Sequence, residues 1–165
     1  MKEIKLTQGK VALVDDEDYD YLNQWKWCAE KGRYTYYAMR GVRHGRKVEG
    51  IRMHRFILNT SKLMEVDHID HNGLNNQKHN IRNCNTSQNN KNVTSWGKSK
   101  YLGVCFSHSK RKDKIYTSIQ SRIRVNNEVC HLGSCKTEEQ AAKRYDTAAI
   151  YFHGEFANLN FKEAI

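Results

Sequence analysis

Residues 115–125, IYTSIQSRIRV, alternate without a break. Ile115, Thr117, Ile119, Ser121, Ile123 and Val125 fall on one side of an extended chain, and Tyr116, Gln120, Arg122 and Arg124 on the other. A strict period of two fits a β-strand with one buried and one polar face. Asn126-Asn127 then reads as a tight turn, because asparagine tolerates positive φ. Residues 128–135 (EVCHLGSC) form the return strand, and residues 101–106 (YLGVCF) form an earlier one, joined through the charged turn HSKRKDK. After residue 135 the period changes. Thr137 is an N-cap, and Gln140 at the third helical position completes a capping box. Ala141, Ala142, Tyr145, Ala148, Ala149 and Phe152 make the stripe of a helix buried on one side, and Gly154 ends it. The pattern predicts an α+β unit: a three-stranded antiparallel sheet packed on one α-helix, held close by the alanines.

The first half reads less regularly. Residues 10–14 (KVALV) form a short strand. The acidic run DDED at 15–18 suits a helix N-terminus, where negative charge opposes the dipole, so a helix is expected over about residues 16–24. Trp27, Tyr34, Tyr36, Tyr37, Ala38 and Met39, around Gly32, have strand chemistry. GVRHGRK is a turn, residues 48–53 a returning strand, and HRFIL at 54–58 a short helix. Aromatic residues mixed with arginines over 25–55 fit a small sheet with a wet, basic face. They also fit a nucleic-acid surface with stacking rings. Residues 93–100 (VTSWGKSK) read as a linker, which places the boundary between domains 1–95 and 96–165. Within the first, residues 1–53 are β-rich and residues 54–95 hold the polar centre.

Charge points to the partner. Lys and Arg number 28 against 18 Asp and Glu, a net charge of +10 with a pI near 9.4. Such an excess favours a polyanion, most often nucleic acid. The charge falls in two blocks, residues 33–55 and 98–124. The five cysteines are odd in number and contain no C-x-x-C pair, so neither a disulfide framework nor a cysteine zinc site is indicated. No apolar run approaches the roughly 18 residues of a membrane span. The N-terminus, MKEIKLTQGKVALV, has no secretory h-region. A cytoplasmic protein with reduced thiols is the simplest reading.

Residues 66–89, VDHIDHNGLNNQKHNIRNCNTSQN, contain little that could enter a core. Nearly every side chain can ligate a metal, donate a hydrogen bond or take a proton. Phosphodiester hydrolysis needs an activated water, cancelled phosphate charge and a stabilised leaving oxygen. A divalent cation can supply the last two, and a neutral histidine can take the water's proton near neutral pH.

The segments HRFIL (54–58), VDHIDHNGLNN (66–76), HNIRNC (79–84) and SQNNKN (87–92) resemble HNH homing endonucleases, a branch of the ββα-metal nucleases. KVALVDDEDY and YYAMR resemble the N-terminal part of the same group. The resemblance implies His68 as general base, Asn80 as the central asparagine that holds the loop, and Asp67 with Asn89 as metal ligands. With asparagine at 89, where many members have histidine, the chain resembles the HNN branch. Asp70 and His79 are read as structural, and Asn90 or Asn92 would replace Asn89 if the register slips. Oxygen ligands suit Mg²⁺ or Mn²⁺ rather than zinc. Asp67 and His68 are neighbours on a strand, so their side chains point apart unless the strand end bends.

YLGV (101–104), HLGS (131–134), TEEQAAKRYDTAA (137–149) and GEFANLNF (154–161) resemble the DNA-binding domain of plant Apetala-two/ethylene-response-factor proteins. That resemblance implies a sheet lying in the major groove of double-stranded DNA. Gln120, Arg122, Arg124 and His131 are the candidate contacts on the sheet, and Arg55 and Arg82 join them from the first half. Arg124 matches a DNA-contacting arginine of that family, and His131 stands at its usual tryptophan position. Cys105 and Ser107 replace its usual arginines, so no target sequence carries over. The two segments together also occur in phage and bacterial HNH proteins. The resulting expectation is a metal-dependent DNA endonuclease, monomeric or homodimeric. The alternatives are a DNA-binding protein with a decayed HNH site and an RNA-binding protein.

Overall fold

A computed structural model describes residues 1–94, 97–112 and 114–162 of the chain. Its backbone divides into two units, Met1–Asn89 and Asn90–Ile165. Ser95 and Trp96 of the expected linker lie outside the described residues.

In the first unit, β1 (Lys2–Lys5) pairs antiparallel with β2 (Val11–Val14). KEIK carries one apolar side chain among four, so alternation could not reveal β1. That one residue, Ile4, is buried with Ala12, Val14, Leu22, Trp27, Ala38 and Met53. Helix α1 (Asp16–Leu22) is two residues shorter than expected, and Leu22 is its buried residue. The Trp27 indole N–H donates to the Leu22 carbonyl at 2.8 Å and closes the helix end.

A second sheet contains β3 (Cys28–Lys31), β4 (Tyr36–His44) and β5 (Lys47–Arg52) in that order. The expected turn GVRHGRK is mostly strand: pairing runs to His44↔Lys47, leaving only Gly45 and Arg46 to turn. Gly45 has φ +60° there, the left-handed value such a turn requires. Helix α2 (Met53–Ile57) follows directly. Trp25, Trp27 and Phe56 close over the Arg40 guanidinium, which lies 4.1 Å from the Trp25 ring. These rings are packed against one another and their own arginine. Two short strands, β6 (Glu65–His68) and β7 (Ile81–Cys84), and a helical turn, α3 (Thr86–Asn89), complete the unit.

The second unit is a sheet of β8 (Val104–Arg111), β9 (Lys114–Val125) and β10 (Glu128–Cys135), with α4 (Glu138–His153) packed on one side. The first strand starts later and runs longer than expected. Gly103 has φ +71°, and a side chain there would drive into the Tyr145 ring, so residues 101–103 leave the sheet. Pairing then continues to Arg111↔Lys114, which turns most of the expected loop HSKRKDK into strand. Asp113 of that loop lies outside the described residues.

Asn126 and Asn127 adopt φ +50° and +68°, the left-handed pair of a two-residue hairpin turn. The Thr137 hydroxyl accepts from the Gln140 amide at 3.2 Å, while the Gln140 side chain accepts from Lys136 rather than from the cap itself. Ala141, Ala142, Tyr145 and Ala149 are buried as the stripe predicts. The stripe ends on His153, not Phe152, because four residues past Ala149 returns to the same face. One ring nitrogen of His153 lies 3.0 Å from the Arg124 carbonyl oxygen. Asp146, also buried, accepts from the backbone amides of Asn160 and Phe161 and so ties the LNF ending to the helix. No helix among the described residues is long and apolar enough to cross a membrane.

Candidate active site

Strands β6 and β7 pair antiparallel, with Asp67 opposite Arg82 and His68 opposite Ile81. The loop between them, residues 69–80, is held by asparagines and one aspartate. The Asn80 side chain donates to an Asp70 carboxylate oxygen and to the Asn75 carbonyl, each at 2.9 Å, and accepts from the Asp70 amide at 3.0 Å. Asp70 accepts in turn from the Asn72 amide and the Asn75 side chain, both at 2.8 Å. Burial alone would raise the Asp70 carboxyl, but these hydrogen bonds outweigh it and hold the group below its ordinary value.

The outer side of the loop is fixed to the start of the chain. The Leu13 amide donates to the Leu74 carbonyl, and the Asn76 amide donates to the Leu13 carbonyl, both at 2.8 Å. Asp15 accepts from the Gln77 side chain and the Lys78 amide. Gly73 passes so close to β4 that an added Cβ would lie 2.5 Å from the Tyr36 carbonyl oxygen. Any other residue there would push the loop outward.

His68 is 6% exposed. Its ring meets His54 edge-on at 4.9 Å and Tyr37 at 5.9 Å. Burial pushes its pKa below the ordinary value, against a hydrogen bond with Asn76 and the nearby carboxylates of Asp70 and Asp67, which favour the protonated ring. Burial, then the charges of His68, Arg52 and Arg55, push His54 down to about 3. Both rings are therefore neutral at pH 7, and a neutral ring is the form that accepts a proton.

Asp67 belongs to the other side of β6. Pairing continues through His68, so the strand does not bend at that point, and alternation sends the two side chains apart. Arg82 donates to one Asp67 oxygen through Nε at 2.9 Å and Nη2 at 2.7 Å. Glu65 shares the face of Asp67 by the same alternation. It accepts from the Thr86 hydroxyl and the Asn89 amide nitrogen, both at 2.6 Å, which hold its carboxyl below the usual range.

The structure thus brings Asn89 onto the strand that carries Asp67 and binds it through Glu65, which the sequence reading did not single out. Asn76 was missed as well, since nothing distinguishes it within an asparagine-rich run. Among the described residues there is no group of three or more His, Cys, Asp or Glu side chains that could hold a metal. Arg55 donates to the carbonyls of Met64 and Ser61 and braces the segment before β6.

In the second unit, Gln120, Arg122 and Arg124 alternate with the buried Ser121 and Ile123, so they occupy the face of the sheet away from α4. Arg122 donates to the Gln120 side chain at 2.7 Å and stands opposite His131 across the strand pair. All four candidate sheet contacts share that face.

No family model matches the chain, and no solved structure does. Among curated proteins, an uncharacterized HNH endonuclease of Acanthamoeba polyphaga mimivirus is 31% identical over 160 residues, a match covering 93% of this chain and 76% of the relative. The match runs through β6, the asparagine-tied loop and α3 alike, and with it the chain belongs to the HNH endonuclease family.

Proposed function

We propose that this chain is a homing-type DNA endonuclease with a ββα-metal site in the first unit and an Apetala-two/ERF-type DNA-binding sheet in the second. The observation that carries the reading is the arrangement about β6. A buried, neutral His68 lies on one side, and Asp67 and the α3 residue Asn89 lie on the other. The scissile phosphate would lie across the end of this strand. His68 would take the proton of the attacking water on a ring nitrogen. Asn80 would act as a positioning residue, because its three hydrogen bonds hold the backbone that leaves His68.

The donor set fits a hard divalent cation. Asp67 offers carboxylate oxygen, and Asn89 has its amide nitrogen engaged by Glu65, which directs its amide oxygen elsewhere. Mg²⁺ keeps several waters and needs only one or two protein oxygens, and Mn²⁺ suits the same ligands. When bound, the cation would neutralise phosphate charge and stabilise the leaving oxygen. Arg82, already on Asp67, would meet the phosphate beside it.

Duplex binding falls to the second unit, whose face of Gln120, Arg122, Arg124 and His131 suits base edges and phosphates. The test is supercoiled plasmid incubated with wild type and with His68→Ala, each with Mg²⁺ and with EDTA. Conversion to open circle by wild type with Mg²⁺ alone supports the reading. Intact plasmid in every lane, with DNA retained at low salt, would replace it by a binding protein without activity. Equal cutting by His68→Ala would remove His68 as the base.

A further inference from the structure

The β8–β9 hairpin outruns its sheet. β10 pairs with β9 only as far as Cys135↔Ile119, whereas β8 stays paired with β9 down to Arg111↔Lys114. Five residue pairs, from Ser107↔Ser118 to Arg111↔Lys114, therefore extend as a two-stranded ribbon with no third strand. At about 3.3 Å per residue the ribbon reaches roughly 17 Å beyond the sheet.

Its burial differs from the rest of β9. Lys114, Ile115, Tyr116 and Thr117 are all exposed, whereas Ser121 and Ile123 are buried against α4. Ile115 is 72% and Tyr116 52% exposed, and alternation puts them on opposite faces. A two-stranded ribbon that buries no apolar face is marginal in water. Docking against a partner would supply the burial that the ribbon lacks.

Charge and alignment identify the partner. Residues 107–118 contain four Lys or Arg, at 110, 111, 112 and 114, and one Asp. Lys110, Lys112 and Lys114 are exposed. Lys114, Tyr116 and Ser118 continue the face of Gln120, Arg122 and Arg124, and Ser107 and Ser109 join it from β8. The ribbon therefore prolongs the proposed DNA face along the same strand, replacing base-reading groups with Lys114 and hydroxyls, while Lys112 stands in the turn at its tip and Lys110, opposite Ile115, lies on the other face. Those groups suit phosphate and sugar rather than base edges.

We propose that this ribbon is a second contact on the same duplex: a basic arm that grips the sugar–phosphate backbone beside the groove occupied by the sheet. The proposal rests on the reading that the β8–β10 face binds duplex DNA. Its contribution is to affinity and orientation, without sequence discrimination.

The experiment measures binding of the full-length protein to a fluorescent 40-base-pair duplex in EDTA, across a series of KCl concentrations. Three proteins are compared: wild type, the triple variant Lys110→Gln, Lys112→Gln, Lys114→Gln, and the pair Arg122→Ala, Arg124→Ala. Each phosphate contact adds about 0.9 to the slope of log affinity against log salt. The triple variant is expected to lose about 1–2 from that slope and to bind severalfold more weakly near 0.1 M KCl. An unchanged slope in the triple variant, with a reduced one in the arginine pair, overturns the arm. Salt-independent, weak binding by all three proteins would overturn the sheet reading and the arm with it. Sedimentation of the same proteins without DNA supplies a further check. If the triple variant or Tyr116→Ser abolishes self-association, the ribbon joins copies of the chain and the proposal fails.

Discussion

Nδ1 of His54 is buried and finds no hydrogen-bond partner among the described residues. The ring nevertheless packs edge-on against His68 and Tyr37, so its contribution is shape and neutrality. The unfolded chain gives His54 its ordinary pKa of 6.5, and the folded core lowers it to about 3. Below 6.5 the unfolded state therefore binds more protons than the folded one. The stability due to the neutral ring is complete above that value and is lost as pH falls toward 3. His54 alone is expected to remove about 2–3 kcal/mol between pH 6.5 and 4.5, and His68 adds in the same direction. His54→Phe keeps the edge-on packing and removes the titration. Thermal unfolding against pH should show a flatter acid limb for that variant. An identical limb would mean that the acid loss comes from other groups. Residue identity made His68, Asn80, Asp67 and Asn89 legible as candidates, because their types and spacing match a family pattern. Glu65 and Asn76 were not legible, since each matters only through a partner brought near by the fold.

At the scale of elements, legibility followed periodicity. Helix α4 and strands β9 and β10 have eight residues or more and strong patterns, and the sequence places them to within about a residue. β1 was invisible because one apolar residue carries no period, and β8 was cut short because Lys110 and Arg111 look like loop residues while pairing as strand. The β8 half of the ribbon, SHSKR, has no apolar alternation to show. The N-cap of α4 gives a direct check. Thr137→Ala removes the hydroxyl that accepts from the Gln140 amide and should cost about 1 kcal/mol. Chemical denaturation followed by circular dichroism measures that loss. A change below a few tenths would mean that Lys136 and Gln140 hold the helix start without the hydroxyl.

At the scale of the whole molecule, two units and a charge of +10 suggest how cutting would proceed. The long-range field of a basic protein raises encounter with duplex DNA, and a tethered binding unit raises the local concentration of the other unit at its target. Under the proposed function, one catalytic site per chain would act on one strand. A time course on supercoiled plasmid should therefore show open circle first and linear DNA only later. Linear product appearing from the earliest times, without open circle, would point to two chains acting together on one site.

The fastening of the 69–80 loop to Leu13 and Asp15 has a consequence for synthesis. Its hydrogen bonds join residues 62 and 63 positions apart, from Asp15 to Gln77 and Lys78. Chains emerge from the ribosome at about 5–20 residues per second, so Asp15 waits several seconds for its partners, and contacts this distant close late. A chain that ends before Gln77 and Lys78 lacks the partners of Asp15 and cannot hold His68 in its finished setting. Under the proposed function, a growing polypeptide beside nucleic acid would stay inactive until its first unit is complete.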